Sequence, residues 1–199
     1  VGTELLKQLT KDNRYSEITA IVRRPLDSPP ESDIPIIQKV ENFEKYEPLF
    51  QRIIYDFNVD HVYVCLGTTM KKAGNEVAFI DVDYDLIFRI ASMAQIRKVT
   101  SLVWVSSVGA DPKSKHFYLR VKGRLEEEIY KLDGLHATAV RPSLLLGERR
   151  EKRLAESIGI FFATKFSSLM TGKWARYRPI HASEVATQMI ELQRFDQEQ

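Results

Sequence analysis

Leu102-Val103-Trp104-Val105-Ser106-Ser107 is an unbroken apolar run that ends on two hydroxyls. A half-buried strand alternates apolar with polar residues, whereas consecutive large apolar residues mark a strand covered on both faces, the habit of a parallel sheet between layers of helices. Eleven residues beyond Ser107 the pentapeptide Tyr118-Leu119-Arg120-Val121-Lys122 ends in Tyr-to-Lys spacing of four. Residues at i and i+4 share a helical face, so a hydroxyl and an ammonium meet beside the end of a strand that delivers a serine. That is a proton-transfer site in outline. Taken alone, the same pair suits a surface helix with Tyr118 packed and Lys122 solvated, so context must decide.

Working outward, strand-like and helix-like stretches alternate. Gly2, Leu5, Leu6 and Leu9 follow helical spacing, and Ile18–Val22 reads as a short buried strand. Prolines, serines and acids from Leu26 to Pro35 mark a surface loop before a strand at Ile36–Val40. A weaker helix is expected from Tyr46 to Tyr55, and His61–Leu66 is a third strand closed by Gly67-Thr68-Thr69. After a basic turn, apolar positions from Val77 to Ile96 predict one long helix feeding the strand of the opening run. Asp111 to Ser114 supply turn and capping residues for a helix from about Lys115 to Leu132, and His136–Val140 is the next strand. Beyond Gly147 the pattern changes to a charged cluster, Glu148 to Arg153, then an apolar helix from Leu154 to Met170, a basic turn, and a final helix from Ser183 to Leu192.

The expectation is therefore an α/β fold with a doubly wound parallel sheet, Rossmann-like, in one domain over residues 1–199, with 148–199 as a helical tail that shapes a substrate pocket. A length of 199 residues suits one substantial core. The formal net charge of +2 is too small to imply a polyanionic partner. Basic groups at Arg149-Arg150, Lys152-Arg153, Lys173, Arg176 and Arg178 are interrupted by acids and read as a solvated face, so no nucleic acid is expected. The lone Cys65 cannot form an internal disulfide, which favours a reducing, cytoplasmic setting. No apolar stretch is long enough to span a bilayer, and no cluster of His, Cys or acids has metal-ligand spacing. The stretch Ile158 to Phe162 with Phe166 is read as a core helix, with a face for a partner subunit or a hydrophobic substrate as the second reading.

Five segments in order carry a resemblance: Gly2-Thr3-Glu4-Leu5-Leu6, Cys65 to Gly74, Val105 to Asp111, Tyr118 to Gly123, and Arg141 to Leu146. Together they resemble the short-chain dehydrogenase/reductase superfamily, in its atypical, Tat-interacting-protein-like oxidoreductase branch. That family opens with a strand and a turn of the form Gly-x-x-Gly-x-x-Gly, and Gly2 matches the third glycine. The resemblance therefore leads to the expectation that the first strand and about a dozen native residues precede Val1, from ordinary strand and turn lengths.

The resemblance implies a site residue by residue. A helix beginning near Gly2 would turn its unpaired amides toward a pyrophosphate. Where a cofactor without a 2′-phosphate meets an acid, this chain has Arg23-Arg24, whose guanidinium groups suit a phosphate, so NADP(H) is expected over NAD(H). Leu66-Gly67-Thr68 would lie against the cofactor, with Gly67 permitting close backbone approach, and Arg141-Pro142 would lie along the nicotinamide. Tyr118 would exchange a proton with a carbonyl or alcohol. A free phenol titrates near pH ~10, so Lys122 would favour the phenolate and also hold the nicotinamide ribose. Ser107, rather than Ser106, would hydrogen-bond the substrate oxygen. His181 reads as a structural residue near a helix start.

Two functions follow. The first is an NADP(H)-dependent oxidoreductase acting on a small carbonyl or alcohol through Ser107, Tyr118 and Lys122. The second is a non-catalytic NADP(H)-binding regulator that acts through a protein partner on the same fold.

Overall fold

The computed structural model describes residues 1–26, 28–41, 59–143, 145–146 and 179–195. The elements in chain order are α1 (Gly2–Leu9), β1 (Ile18–Val22), β2 (Ile36–Val40), β3 (His61–Val64), α2 (Met70–Ala73), α3 (Glu76–Ile80), a π-helical turn (Asp81–Asp85), α4 (Leu86–Ile96), β4 (Ser101–Val105), α5 (Phe117–Ile129), β5 (His136–Val140), β6 (Leu145–Leu146), β7 (Ile180–His181) and α6 (Ala182–Glu191). The helix expected from Tyr46 to Tyr55, the cluster at 148–153, the helix from Leu154 to Met170 and the basic groups at 173–178 lie outside the described residues.

Every strand pair is parallel. β1 pairs with β2 in the register Ile18 to Ile36, and β3-β4-β5 pair in order, with His61 opposite Ser101 and Ser101 opposite His136. The order 3-2-1-4-5-6 of a doubly wound sheet is met as β2-β1 and β3-β4-β5, and among the described residues no strand pairs with the second edge of β1 or β3.

Burial along β4 shows why the opening run is continuous. Leu102 and Trp104 point into one core with Ile87, Ala91, Leu125 and Ile129 of α4 and α5. Val103 points to the other face, among Leu5, Leu6 and Leu9 of α1 and Val185, Ala186 and Met189 of α6. Ile18 of β1 belongs to that same second core, so both ladders share one hydrophobic interior. Alternate residues of the strand face opposite layers, and both layers are apolar.

The helix expected over Val77–Ile96 is helical throughout, from Glu76 to Ile96, with a π turn inside it at Asp81–Asp85. The helix expected from Lys115 begins at Phe117, because Asp111 and Ser114 spend their side chains on the turn: Asp111 Oδ1 accepts from the amide of Lys113 at 2.8 Å and Ser114 Oγ from that of His116 at 3.2 Å. The final helix packs into the core, with Val185, Ala186 and Met189 fully buried beside α1. His181 sits at its N-cap, where its amide donates to Glu184 Oε1 at 3.3 Å, a structural position of the kind expected.

After α6 the chain crosses the starting ends of the three-stranded sheet. Ser101 Oγ donates to Gln193 Oε1 at 2.7 Å and accepts from the Arg194 amide at 3.1 Å, while the His61 ring meets the Arg194 carbonyl at 2.6 Å. The Tyr15 and Tyr63 hydroxyls share a hydrogen bond of 2.7 Å nearby, and burial pushes both phenols above their ordinary titration. This end is closed by side chains and strap, which leaves the opposite, C-terminal ends of the strands as the place for a site.

Candidate active site

α5 sets the geometry. Tyr118, Lys122 and Glu126 recur every four residues on one face, but their surroundings differ: Tyr118 is 38% exposed, whereas Lys122 and Glu126 are buried at 2% and 3%. The Tyr118 ring rests edge-on against Phe79 with centroids 5.7 Å apart. Phe79 also meets Phe117, at 5.6 Å, so α3 braces the first turn of α5.

One turn further along both helices, Lys122 Nζ lies 2.7 Å from Asp83 Oδ1. The other carboxylate oxygen, Oδ2, accepts the amide of Thr68 at 2.6 Å. A Cβ built on Gly67 would stand 3.4 Å from Asp83 Oδ1, so the turn after β3 lies directly on this carboxylate. Asp83 thereby joins the turn expected to face a cofactor to the lysine expected to serve it. It stands in the π turn, a wider turn that recurs at functional positions in helices.

The loop after β4 is held from two sides. The amide of Ser106 donates to the Val140 carbonyl at 2.7 Å and that of Val108 to the Pro142 carbonyl at 2.9 Å, so Ser107 is carried beside Pro142 at the end of β5. Farther along, the amide of Asp111 donates to the Leu119 carbonyl at 3.1 Å, which ties the loop to α5 one residue from Tyr118. Ser106 is buried and its Oγ has no hydrogen-bond partner among the described residues. Ser107 is half-buried on the opposite face, with Oγ 3.3 Å from the Val108 carbonyl, a weak contact that leaves the hydroxyl available.

The Arg141 side chain is committed to Glu126. Its Nε donates to both oxygens of Glu126, at 3.0 and 3.1 Å, and its Nη2 makes a further short bond to Oε2. This bidentate grip raises the pKa of the guanidinium above its ordinary value. What Arg141-Pro142 can present to a ligand is therefore chiefly backbone.

Gly2 opens α1 above the end of β3, where a Cβ would lie 3.4 Å from the Cys65 Cβ. Among the described residues no side chain caps the helix, so its first-turn amides are donors for an acceptor. Arg23 and Arg24 are exposed just past β1, without an ion-pair partner among the described residues. Leu66 turns inward onto the core that holds Trp104. The donor set fits a dinucleotide: uncapped amides at a helix start, a glycine turn beyond β3, two guanidinium groups past β1 and a fixed ammonium on α5. Among the described residues no group of three metal-ligating side chains exists, and no helix is long and apolar enough to cross a membrane.

Asp83 and Glu126 escaped the reading of the sequence, though a signal was present. Asp83 falls on the apolar face of Phe79, Ile80, Leu86, Ile87 and Ile90, and Glu126 lies beside Leu125 and Ile129. A charge on the buried face of a helix requires a partner.

Against known proteins, residues 1–166 match a family model described as NAD(P)H-binding. Protein HTATIP2 of Rattus norvegicus is 35% identical over 177 residues, which is 87% of this chain and 69% of that protein. The mitochondrial protein FMP52 of Saccharomyces cerevisiae is 28% identical over 193 residues, 96% of this chain and 82% of that protein. Among solved structures, ElxO with NADP bound is similar at a TM-score of 0.66 and 16% identity, over 98% of this chain and 87% of that one. ADP-L-glycero-D-manno-heptose-6-epimerase of Helicobacter pylori is similar at a TM-score of 0.67 and 11% identity, over 96% and 68%. At such identities the two structures speak for the fold alone.

Proposed function

The chain belongs to the NAD(P)H-binding Rossmann family, among the atypical short-chain dehydrogenases/reductases, and from that premise we propose that it is an NADP(H)-dependent oxidoreductase acting on a small carbonyl or alcohol, with Tyr118 as acid and base. One observation carries the reading. Lys122 is buried and held on the same helical face as a half-exposed Tyr118, beside a loop that presents Ser107. A surface helix would have left the lysine solvated.

In this reading the uncapped amides of α1 and the turn at Gly67-Thr68 hold the pyrophosphate and neighbouring ribose, and Arg23 with Arg24 grips a 2′-phosphate. Lys122 hydrogen-bonds the nicotinamide ribose with the donors that Asp83 leaves to it. Ser107 fixes the substrate oxygen, and Tyr118 gives that oxygen a proton, or takes one in the reverse direction. The bound nicotinamide supplies or accepts the hydride. The Arg141-Pro142 backbone closes the strip from the β5 side, since the Arg141 side chain is committed to Glu126. A reducing, cytoplasmic setting suits the single thiol, and fractionation of cells carrying the full-length protein tests it.

The test is titration of full-length protein with NADPH, followed by turnover of a broad panel of aldehydes and ketones. NADPH binding with turnover of at least one carbonyl is expected. Tight binding with no turnover across the panel would replace this reading with that of a cofactor-binding regulator.

A further inference from the structure

The geometry points to Asp83 as a positioning residue: its carboxylate ties the Lys122 ammonium to the Thr68 amide, so one side chain sets both the lysine and the cofactor-facing turn after β3. This deepens the oxidoreductase reading and rests on its cofactor-binding part, in which Lys122 holds the nicotinamide ribose. The two oxygens serve different elements, Oδ1 receiving the lysine at 2.7 Å and Oδ2 the amide at 2.6 Å. The Lys122 and Asp83 side chains are 3% and 1% exposed, so water does not supply alternative partners.

Lysine has a flexible stem of four carbons, and fixing it only when a ligand arrives would cost affinity through lost rotamer freedom. A carboxylate that fixes it beforehand moves that cost into folding. Phe79 meets Tyr118 and Asp83 meets Lys122, each pair one turn along. The two helical elements therefore run in step, and the π turn is the part of the first that carries Asp83. Gly67 leaves no side chain between the turn and Asp83, where even a Cβ would be in contact at 3.4 Å. A buried ion pair is a costly way to fill a core that an apolar pair would fill as well. The link to Thr68 is what an apolar pair could not provide.

A double-mutant cycle on the full-length protein separates positioning from general support of the fold. The variants are Asp83→Asn, Lys122→Met and both together, read by NADPH dissociation constant and by thermal midpoint. Asp83→Asn is expected to weaken NADPH by about tenfold in the otherwise unmutated protein, and by less than about twofold where Lys122 is already Met. The double variant is expected to melt above Lys122→Met alone, which leaves a buried carboxylate without its cation. Equal loss of affinity in both backgrounds, or none in either, would overturn the assignment. Asp83→Glu keeps the charge but moves the oxygens by one methylene, and in protein shown folded by its thermal midpoint, unchanged NADPH affinity would overturn the assignment as well. Because binding is read without turnover, a protein that binds NADPH but reduces no carbonyl sinks the enzymatic reading and leaves this one standing.

Discussion

Gly123 of α5 lies against the backbone of Pro112: a Cβ there would stand 2.3 Å from the Pro112 nitrogen and 2.2 Å from the Asp111 carbonyl carbon. No side chain fits that space. The contact sets the distance between the loop that carries Ser107 and the helix that carries Tyr118. Gly123→Ala is expected to destabilise by about 1–3 kcal/mol through overpacking and to lower turnover in the folded fraction. A thermal melt and a rate at saturating substrate check both parts, and an unshifted melt would mean that the loop yields freely.

Tyr118→Phe removes the hydroxyl but keeps the edge contact with Phe79. Carbonyl turnover should fall by at least about a hundredfold, the low end of what a positioned acid or base supplies, with NADPH affinity nearly unchanged. Steady-state kinetics and a binding titration check this, and wild-type turnover in the variant would remove Tyr118 from the chemistry.

Replacing Arg23 and Arg24 together with alanine should weaken NADPH by ~1.5–3 kcal/mol per charged hydrogen bond lost and leave NADH almost unaltered. Both side chains are exposed, so the fold should not suffer. Equal binding of the two coenzymes by the unmutated protein would reduce the arginines to a solvated turn.

Glu126 and Arg141 should respond unequally to mutation. Arg141 keeps much of its side chain in water while Glu126 is almost fully covered. Arg141→Ala therefore strands a buried carboxylate, with a cost on the order of 3 kcal/mol, whereas Glu126→Gln leaves a hydrated guanidinium and a neutral amide. Denaturant melts of the two variants should rank Arg141→Ala as the less stable, and the reverse order would mean that Glu126 gains its support elsewhere.

Burial pushes the Cys65 thiol up to about 11. The reactive thiolate is then roughly one part in a thousand at about pH 8, so alkylation by a small iodoacetamide should be far slower than in the unfolded chain and should rise steeply as pH approaches that value. Mass spectrometry over time measures it. The sign for stability follows: the folded thiol holds its proton more tightly than the unfolded one, so its contribution is complete below the unfolded pKa and is lost as pH rises through the folded one.

The parallel α/β plan is legible in the residues alone, because an apolar run such as Leu102–Val105 cannot sit on a one-sided sheet, and helical periodicity around Leu5, Ile87 and Leu125 is a local property of the chain. That Tyr118 and Lys122 share a face is legible too, since a spacing of four needs only a helix. Tertiary structure alone decided what those groups touch. Asp83 reaches Lys122, and Glu126 reaches Arg141, through the relative register of separate elements, and buried charges choose partners by that register. The π turn at Asp81–Asp85 is a local departure from regular spacing that no periodicity announces. The place of α6 in the core was likewise decided by packing, because an amphipathic helix declares that it has a buried face but not which surface will cover it.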